Sequence, residues 1–450
     1  MGKLFGTDGI RGVVNESLDA PLAYRIGQAA ATVLAQGRET PPCVVIGKDT
    51  RISSDLLEGA LTAGLCACGA RVVTLGAIPT PAVSYLTVAR SAAAGIVISA
   101  SHNPFEYNGI KFFGPTGQKL SDEAEAEIEA LILSDGPYAL KTGAEIGAVE
   151  RCADAVAQYV DHLAQTVRRP IGGLRVLIDC ANGAASVTAR QLFSRFPLVA
   201  DFISAEPDGT NINRGCGSTH LRALSEKTAA GDYDLGIAFD GDADRCLIVD
   251  EAGHEVDGDK MMAICAEHMK AEGRLAGGGF VGTVMSNLGL HHYCAGRGLR
   301  LLCAPVGDRY VLEMMQREGM NLGGEQSGHI IFLDEMPTGD GQLAALHILQ
   351  ILCQEQKPIS QLIAAIPRYP QVLLGAKASL YPEERKAVMQ TPRLQEAIAA
   401  AEAKLGSEGR ILIRPSGTEA LIRVMVEARD AAQAQEIAEE LLAIVQDLQM

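Results

Sequence analysis

Short runs of small and apolar residues that stop at polar turns set the rhythm of this chain. Ala92 to Ile98 reads as a buried strand running into Ser99-Ala100-Ser101-His102-Asn103-Pro104, where Asn-Pro signals a turn. Asp234 to Phe239 repeats the pattern and runs into Asp240-Gly241-Asp242-Ala243-Asp244-Arg245. Before the first of these, the spacing predicts a helix over Pro21 to Gln36, a strand over Cys43 to Ile46 and a helix over Ser54 to Cys68. A strand over Arg71 to Leu75 follows, then a helix opened by Pro79-Thr80-Pro81. Asn108 to Phe113 reads as a turn and short strand, and Ser121 to Leu133 as a helix. Strands alternating with helices predict a mostly parallel sheet with ligand loops at the strand ends.

The period is lost over Ser134 to Glu150, and a domain boundary is expected near 150. It resumes as a helix (Ala153 to Val167), a strand (Gly173 to Asp179), a helix (Ala184 to Phe193), a Gly- and Asn-rich loop (Asp208 to Gly217) and a helix (Leu221 to Ala230). The aspartate strand follows, then a strand from Cys246 to Asp250 and a second boundary near 250. Beyond lie a helix (Asp259 to Ala271), strands over Gly279 to Val284 and Leu301 to Val306, the stretch Gly323 to Ile331, and a helix (Asp340 to Gln354). Ile366-Pro367-Arg368-Tyr369-Pro370 marks the third boundary, and the remainder reads strand, helix, strand, strand, helix. Strand ends near 47, 180, 240 and 285 are each followed by a polar or glycine loop and then a helix. The fold class is therefore α/β: three similar units with mixed, mostly parallel sheets, then a smaller α+β unit. The units are 1–150, 151–250, 251–368 and 369–450.

Composition narrows the function. At 450 residues the chain is too long for one core, and 47% hydrophobic content with 48 glycines suits an α/β protein rich in tight loops. No apolar run approaches membrane-spanning length and the start carries no signal-peptide apolar region, so a soluble protein is expected. The 11 cysteines lie mostly in apolar surroundings and read as reduced and buried, which suits the cytoplasm. A formal charge of −16 argues against nucleic acid, but a few arginines in one place suffice for a small phosphorylated ligand.

The loops then supply chemistry. Ser101, on a tight loop at a strand end, reads as a turn residue or as a nucleophile. Asp240, Asp242 and Asp244 sit at every second position among small residues and can turn inward together, a hard oxygen set that suits Mg²⁺. A Ca²⁺ loop is the competing reading, since Glu251 falls at the twelfth position, but Cys246 to Val249 reads as a strand. Arg414-Pro415-Ser416-Gly417-Thr418-Glu419 lies between two strand-like runs and offers what a dianionic phosphate needs, with Arg423 able to reach the same place. Glu325 and Ser327, two apart on an extended segment, can grip sugar hydroxyls, and His329 on the same side adds a titratable group. Phosphoryl transfer through a serine uses all four loops.

These motifs carry a resemblance. Ala-Ser-His-Asn-Pro, Asp-Gly-Asp-X-Asp-Arg, Gly-Glu-X-Ser-Gly-His and Arg-Pro-Ser-Gly-Thr-Glu occur in that order, and over its whole length the chain resembles the α-D-phosphohexomutase family. Phe5-Gly-Thr-Asp-Gly-Ile-Arg11-Gly12 and Gly323-Gly-Glu-Gln-Ser-Gly-His329 are similar to the branch that acts on glucosamine phosphate. Branches acting on mannose and glucose phosphates usually carry Met where Gln326 stands, and they remain the alternative. Ala243 departs from the glycine common in this branch, and alanine is small enough to leave the metal loop intact. The resemblance implies a four-domain α/β enzyme with a central cleft, interconverting glucosamine 6-phosphate and glucosamine 1-phosphate on the way to UDP-N-acetylglucosamine and peptidoglycan. It implies a phosphorylated Ser101, with Mg²⁺ held by Asp240, Asp242, Asp244 and an oxygen of phosphorylated Ser101. It further implies a glucosamine 1,6-bisphosphate intermediate, which, like glucose 1,6-bisphosphate, would serve as the activator that phosphorylates Ser101. Arg11, His102, Lys111 and His329 match catalytic positions near the transferring group. Arg245, Glu325, Ser327, Arg414, Ser416, Gly417, Thr418 and Arg423 match substrate-binding positions. The partner is a small phosphosugar rather than nucleic acid or membrane, and a homodimer is compatible with the reading. A metal-dependent phosphatase would not need the Gly-Glu-X-Ser grip, and a non-catalytic sensor would not need Ser101 or the aspartates.

Overall fold

The computed structural model describes residues 4–6, 8–379, 381–416 and 420–449. It divides into two compact units, one holding the chain up to Val284 together with Leu299–Ala364, the other holding Met285–Gly298 and the chain from Ala365 onward.

The first unit contains three mixed sheets. In the six-stranded sheet, Cys43–Lys48 runs parallel between Ala94–Ile98 and Arg71–Ala77, so the loops after Lys48 and Ile98 emerge at one edge. Every residue of Ala94–Ile98 is buried, as expected for a strand covered on both faces. The expected turn at Asn108 is instead part of the strand Tyr107–Phe113, antiparallel both to Ala94–Ile98 and to Ile10–Val13. Val149–Arg151 joins the far edge, pairing with Arg71–Ala77.

In the second sheet Leu235–Phe239 and Val199–Ile203 flank Arg175–Asp179 in parallel, and Leu235–Phe239 turns back antiparallel into Cys246–Val249. The aspartate loop is therefore a hairpin connection. Glu251 lies beyond the returning strand and accepts from Ser360 Oγ, so it is no ligand of an EF-hand ring. In the third sheet Gly279–Thr283 lies between Arg300–Ala304 and Leu322–Gly324 in parallel, and Leu322–Gly324 pairs antiparallel with Ile330–Phe332. Asp340 caps the buried helix Gly341–Glu355, its Oδ1 accepting from the N–H groups of Gln342 and Leu343 at 2.9 and 3.0 Å.

The second unit has a three-stranded antiparallel sheet with Leu421–Ala428 between Gln371–Lys377 and Gly409–Pro415. Two helices, Pro382–Met389 and Pro392–Leu405, stand where one was expected; Pro392 opens the second. The cysteines form no disulfide among the described residues, and eight of them are buried. Among those residues no helix is long and apolar enough to cross a membrane.

Helices Ala20–Leu34 and Ser54–Ala67 cross where glycines remove all side-chain bulk. A Cβ on Gly64 would stand 2.0 Å from Tyr24 O, and one on Gly27 would stand 2.3 Å from Leu61 O. Gly64→Ala should therefore destabilise the protein by about 1–2 kcal/mol despite alanine's better helix propensity. Gly59→Ala, on the open face of the same helix with nothing within 4 Å, should stabilise it by about 0.5–1 kcal/mol. Thermal unfolding of both variants checks the opposite signs; a stabilised Gly64→Ala would mean the helix contact is loose.

Candidate active site

Ser101 ends the buried strand Ala94–Ile98 one turn later, in a left-handed conformation with φ 50°. Its Oγ donates to Asp240 Oδ2 at 2.6 Å and lies 3.3 Å from His102 Nδ1. Asp240, Asp242 and Asp244 converge, with one carboxylate oxygen of each within 4.8 Å of the others, and all three are buried. Ala243 takes φ 58°, which lets the hairpin connection curl so that alternate side chains face inward.

Each carboxylate is held differently. Asp242 Oδ2 accepts from Lys111 Nζ at 2.9 Å and from Thr80 Oγ1 at 2.7 Å. Burial opposes its charge, but Lys111 and Thr80 outweigh burial and hold its pKa below the ordinary carboxylate value. For Asp240 the nearby charge of Arg245 is outweighed. Burial, then the charges of Asp244 and Asp242, push its pKa well above the ordinary value. Asp242 Oδ1 and Asp244 Oδ1 are buried without a hydrogen-bond partner, and Arg245 Nε stands 3.9 Å from the latter. Arg245 also donates its backbone N–H to Asp240 Oδ1 at 3.2 Å.

Three crowded carboxylates with two orphaned oxygens and one suppressed ionisation fit a hard divalent cation, which would relieve all of these costs at once.

Around the aspartates runs a chain of alternating charge. Lys111 Nζ is also 3.1 Å from Asp8, which accepts in addition from Arg11 and lies 2.8 Å from Lys119. Lys119 reaches Asp308 at 2.7 Å, and Asp308 stands 3.9 Å from His329 Nε2. His329 Nδ1 is 3.6 Å from Asp244. Burial opposes the charge on His329, but Asp244, Asp308 and Glu325 outweigh it and lift its pKa to about 9. His102 goes the other way: burial, then Arg245 and Arg11, lower it to about 4.

The segment bearing Glu325 and Ser327 is not extended. Gly328 N donates to Glu325 O at 3.0 Å, closing a turn between the antiparallel strands Leu322–Gly324 and Ile330–Phe332. The Gly-Glu-X-Ser-Gly spacing suits a hairpin better than a straight segment, and Gly328 takes φ 90° there. Glu325 Oε1 accepts from Gly307 N at 3.1 Å, while Ser327 Oγ is buried without a hydrogen-bond partner.

Ser101, Arg11, His102, Lys111, Arg245, Glu325, Ser327, His329 and the three aspartates all lie in the first unit. Arg414, Ser416 and Arg423 lie in the second, where Arg414 and Arg423 are directly opposite on neighbouring strands. Gly417 and Thr418 lie outside the described residues.

Sequence reasoning passed over Thr80, Lys119 and Asp308, and over Asp8 as anything but loop. Asp8 is itself the anion around which Lys111, Arg11 and Lys119 gather. The one usable signal was position: Asp8 and Asp308 each sit next to a glycine, with an arginine within three positions.

Models of all four domains of phosphoglucomutase/phosphomannomutase match the chain in order. The alpha/beta/alpha domains I, II and III match residues 2–139, 157–253 and 257–369, and the C-terminal domain matches 378–444. The chain belongs to the phosphoglucomutase/phosphomannomutase family. Within the family, it is 50% identical over 449 residues to a phosphoglucosamine mutase of Desulforudis audaxviator, covering 100% of this chain and 99% of the relative. A crystal structure of a family protein from Burkholderia thailandensis superposes with a TM-score of 0.82 at 26% identity, covering 99% of this chain and 97% of that one. The N-acetylphosphoglucosamine mutase of Aspergillus fumigatus, solved with GlcNAc-6P and magnesium, shares the fold with a TM-score of 0.72 at 19% identity, covering 99% and 96%.

Crowding at the aspartates makes a prediction. Asp240→Asn removes the carboxyl whose ionisation burial, Asp244 and Asp242 oppose, so without divalent cation its thermal stability should equal or exceed that of the wild type. Divalent cation at a hundredfold excess over Kd should stabilise the wild type by about 2.7 kcal/mol, read as a raised midpoint, and the variant far less. An equal cation response in both proteins would remove Asp240 from the metal site.

Proposed function

We propose that this chain is a phosphoglucosamine mutase, interconverting glucosamine 6-phosphate and glucosamine 1-phosphate through a phosphorylated Ser101. The carrying observation is the Ser101 hydroxyl seated 2.6 Å from Asp240 inside a buried trio of carboxylates. The name of the relative, half identical over the full length, supports the choice of sugar. Labour divides by stretch: the phosphoserine in 1–150, the metal site in 151–250, the sugar grip in 251–368 and a phosphate grip in 369–450.

Asp240, Asp242 and Asp244, with an oxygen of phosphorylated Ser101, would hold magnesium, which when bound supplies positive charge against the phosphoryl oxygens. In transfer, a sugar hydroxyl oxygen forms its bond to phosphorus as the bond to Ser101 Oγ breaks, and the proton the hydroxyl gives up is balanced by the one the freed Ser101 Oγ takes up. Glucosamine 1,6-bisphosphate results, and its other phosphoryl returns to Ser101. Lys111 is pinned by Asp242 and Asp8 and raised in pKa against the pull of burial, so it stays charged beside the transferring group with Arg11. Glu325 and the unpartnered hydroxyl of Ser327 would take sugar hydroxyls, with His329 and Arg245 alongside. Arg414 and Arg423, two cations opposite each other on adjacent strands, would take the phosphate that is not reacting, with Ser416, Gly417 and Thr418. Glucosamine 1,6-bisphosphate or glucose 1,6-bisphosphate would prime Ser101, and the reaction would run in the cytoplasm.

A second reading is a phosphoglucomutase or phosphomannomutase, which the description of the matching family models favours. The same machinery would act on glucose or mannose phosphate. Mutase assays on the three 6-phosphates separate the readings. The proposal expects kcat/KM for glucosamine 6-phosphate to exceed the others by about tenfold or more, since a site built around an amino group leaves it unpaired with the analogue. A faster reaction with glucose or mannose phosphate overturns it.

Two variants test the machinery. Ser101→Ala should lose nearly all turnover and take up no phosphoryl group; wild-type rates would end the covalent route. Arg414→Ala should raise KM about ten- to a hundredfold by losing a charge-assisted contact. An unchanged KM would take Arg414 out of the phosphate grip.

A further inference from the structure

Ser101 is held in its left-handed conformation by a residue outside the four motif loops. Arg51 lies on the loop after Cys43–Lys48, the strand beside Ala94–Ile98 in the sheet. Its side chain is wholly buried, as is that of Asp49. All five N–H donors of its guanidinium are used. Nε donates to Asp49 Oδ2 at 2.8 Å. One terminal nitrogen donates to Ser101 O at 2.8 Å and Asn103 O at 2.9 Å. The other donates to Tyr107 O at 3.0 Å and to Pro104 O. Four carbonyls of the serine loop thus converge on one cation.

The other side of Ser101 is tied to the same pair. Ser101 N donates to Ser99 Oγ at 2.9 Å, and Ser99 Oγ donates to Asp49 Oδ2 at 2.7 Å. Asp49 Oδ1 in turn accepts from Arg51 N and Ser54 Oγ, both at 3.1 Å. Both peptide groups flanking Ser101 therefore end on the Asp49–Arg51 pair. Asn213 adds a brace from the loop between Val199–Ile203 and the helix Arg222–Ala230, donating to Ser101 O at 2.9 Å and Asn103 O at 3.0 Å.

We propose that Arg51, oriented by Asp49, is the positioning residue that returns the Ser101 hydroxyl to one place after each phosphoryl transfer; this rests on Ser101 being the phosphoryl carrier. A carrier serine leaves and regains a doubly charged group every cycle, and each change pulls differently on a loop facing three carboxylates. Rate then depends on the oxygen keeping its line of approach. Four carbonyls on a planar, rigid fork fix that line as no compact ammonium can, since lysine has three donors in place of five.

The test compares full-length wild type with Arg51→Lys, both first stripped of phosphate by a phosphatase. Glucose 1,6-bisphosphate is added, and one-phosphoryl mass gain at Ser101 is followed in time, normalised to folded protein by circular dichroism. Steady-state kcat and KM on glucosamine 6-phosphate are measured beside it. Arg51→Lys should slow phosphoryl uptake and kcat about ten- to a hundredfold, the scale set by an ångström of misplacement, while KM stays within about twofold. A merely structural Arg51 would lower the thermal midpoint yet leave uptake per folded molecule at the wild-type rate, and that result overturns the proposal. If Arg51→Lys does not fold, Ser99→Ala takes its place, since it cuts only the hydroxyl link from Ser101 N to Asp49. A fall of roughly threefold or more in uptake at constant KM is then expected, and an unchanged rate overturns the proposal. A wild type that takes up no phosphoryl group overturns the phosphoserine reading and this inference with it. A wild type that does, beside a variant that matches it, overturns the inference alone.

Discussion

Burying three carboxylates against one serine is the constraint on which the first unit depends. Taking such charges out of water costs several kcal/mol each unless they are paired. The pairing comes from all three sheets of that unit. Lys111 comes from the first sheet, on the strand Tyr107–Phe113, and Thr80 from the start of a helix, Thr80–Ala89. Arg245 comes from the aspartate loop itself and His329 from the third sheet's hairpin. The demand then propagates: Lys111 answers Asp242 and is answered by Asp8, Asp8 draws in Lys119, and Lys119 draws in Asp308. A removed member leaves its neighbour as an uncompensated buried charge, so the chain of ions holds the three sheets in one arrangement.

Close approach of backbone follows from the same demand. A Cβ on Gly241 would stand 2.5 Å from Ser101 O, and one on Gly339 would stand 2.4 Å from His329 Nε2. The aspartate loop can reach the serine loop, and the Gly339 backbone can lie flat on the imidazole, because neither glycine has a side chain. Charge decides which loops must meet, and missing side chains decide how near they come.

Much of this was legible in the sequence, for a local reason. Buried strands announce themselves by unbroken apolar runs, so Ala92 to Ile98 and Asp234 to Phe239, and the polar loops they run into, could be read without knowing the sheet. What escaped depends on pairing across long separations. Ile10–Val13 reads as loop because its sequence is half glycine and polar, and it becomes a strand only by lying against Tyr107–Phe113. Val149–Arg151 is exposed throughout and has no apolar signature, yet it completes the sheet edge. Lys119 and Asp308 are 189 positions apart and carry no mutual signal. Arg51 was in plain view, but nothing local tells a surface arginine from one that gathers four carbonyls.

In the second unit, packing and order along the chain part company. A reading along the chain puts residues 285–298 with the third sheet's strands, and the domain III model also spans them. Their buried polar contacts belong elsewhere. Glu427 is fully buried on the central strand Leu421–Ala428, and a carboxylate there must be paired or it forfeits several kcal/mol. It accepts from Arg410 Nε at 2.6 Å and Gln371 Nε2 at 2.7 Å, on the two flanking strands. Its remaining capacity goes to Asn287 Nδ2 at 3.1 Å and Leu288 N at 3.0 Å, at the start of the helix Leu288–Arg297. That helix end carries partial positive charge and orphan N–H groups, the complement a buried carboxylate lacks. Asn287 is fixed in turn by Tyr369, exchanging bonds of 2.9 Å with its N–H and carbonyl, and Arg410 also donates to Ser286 O. Gly289 completes the fit, because a Cβ there would stand 1.8 Å from Pro367 O. A satisfied carboxylate ties this helix, which chain order and the domain III match place with the third sheet, to the strands of the C-terminal unit.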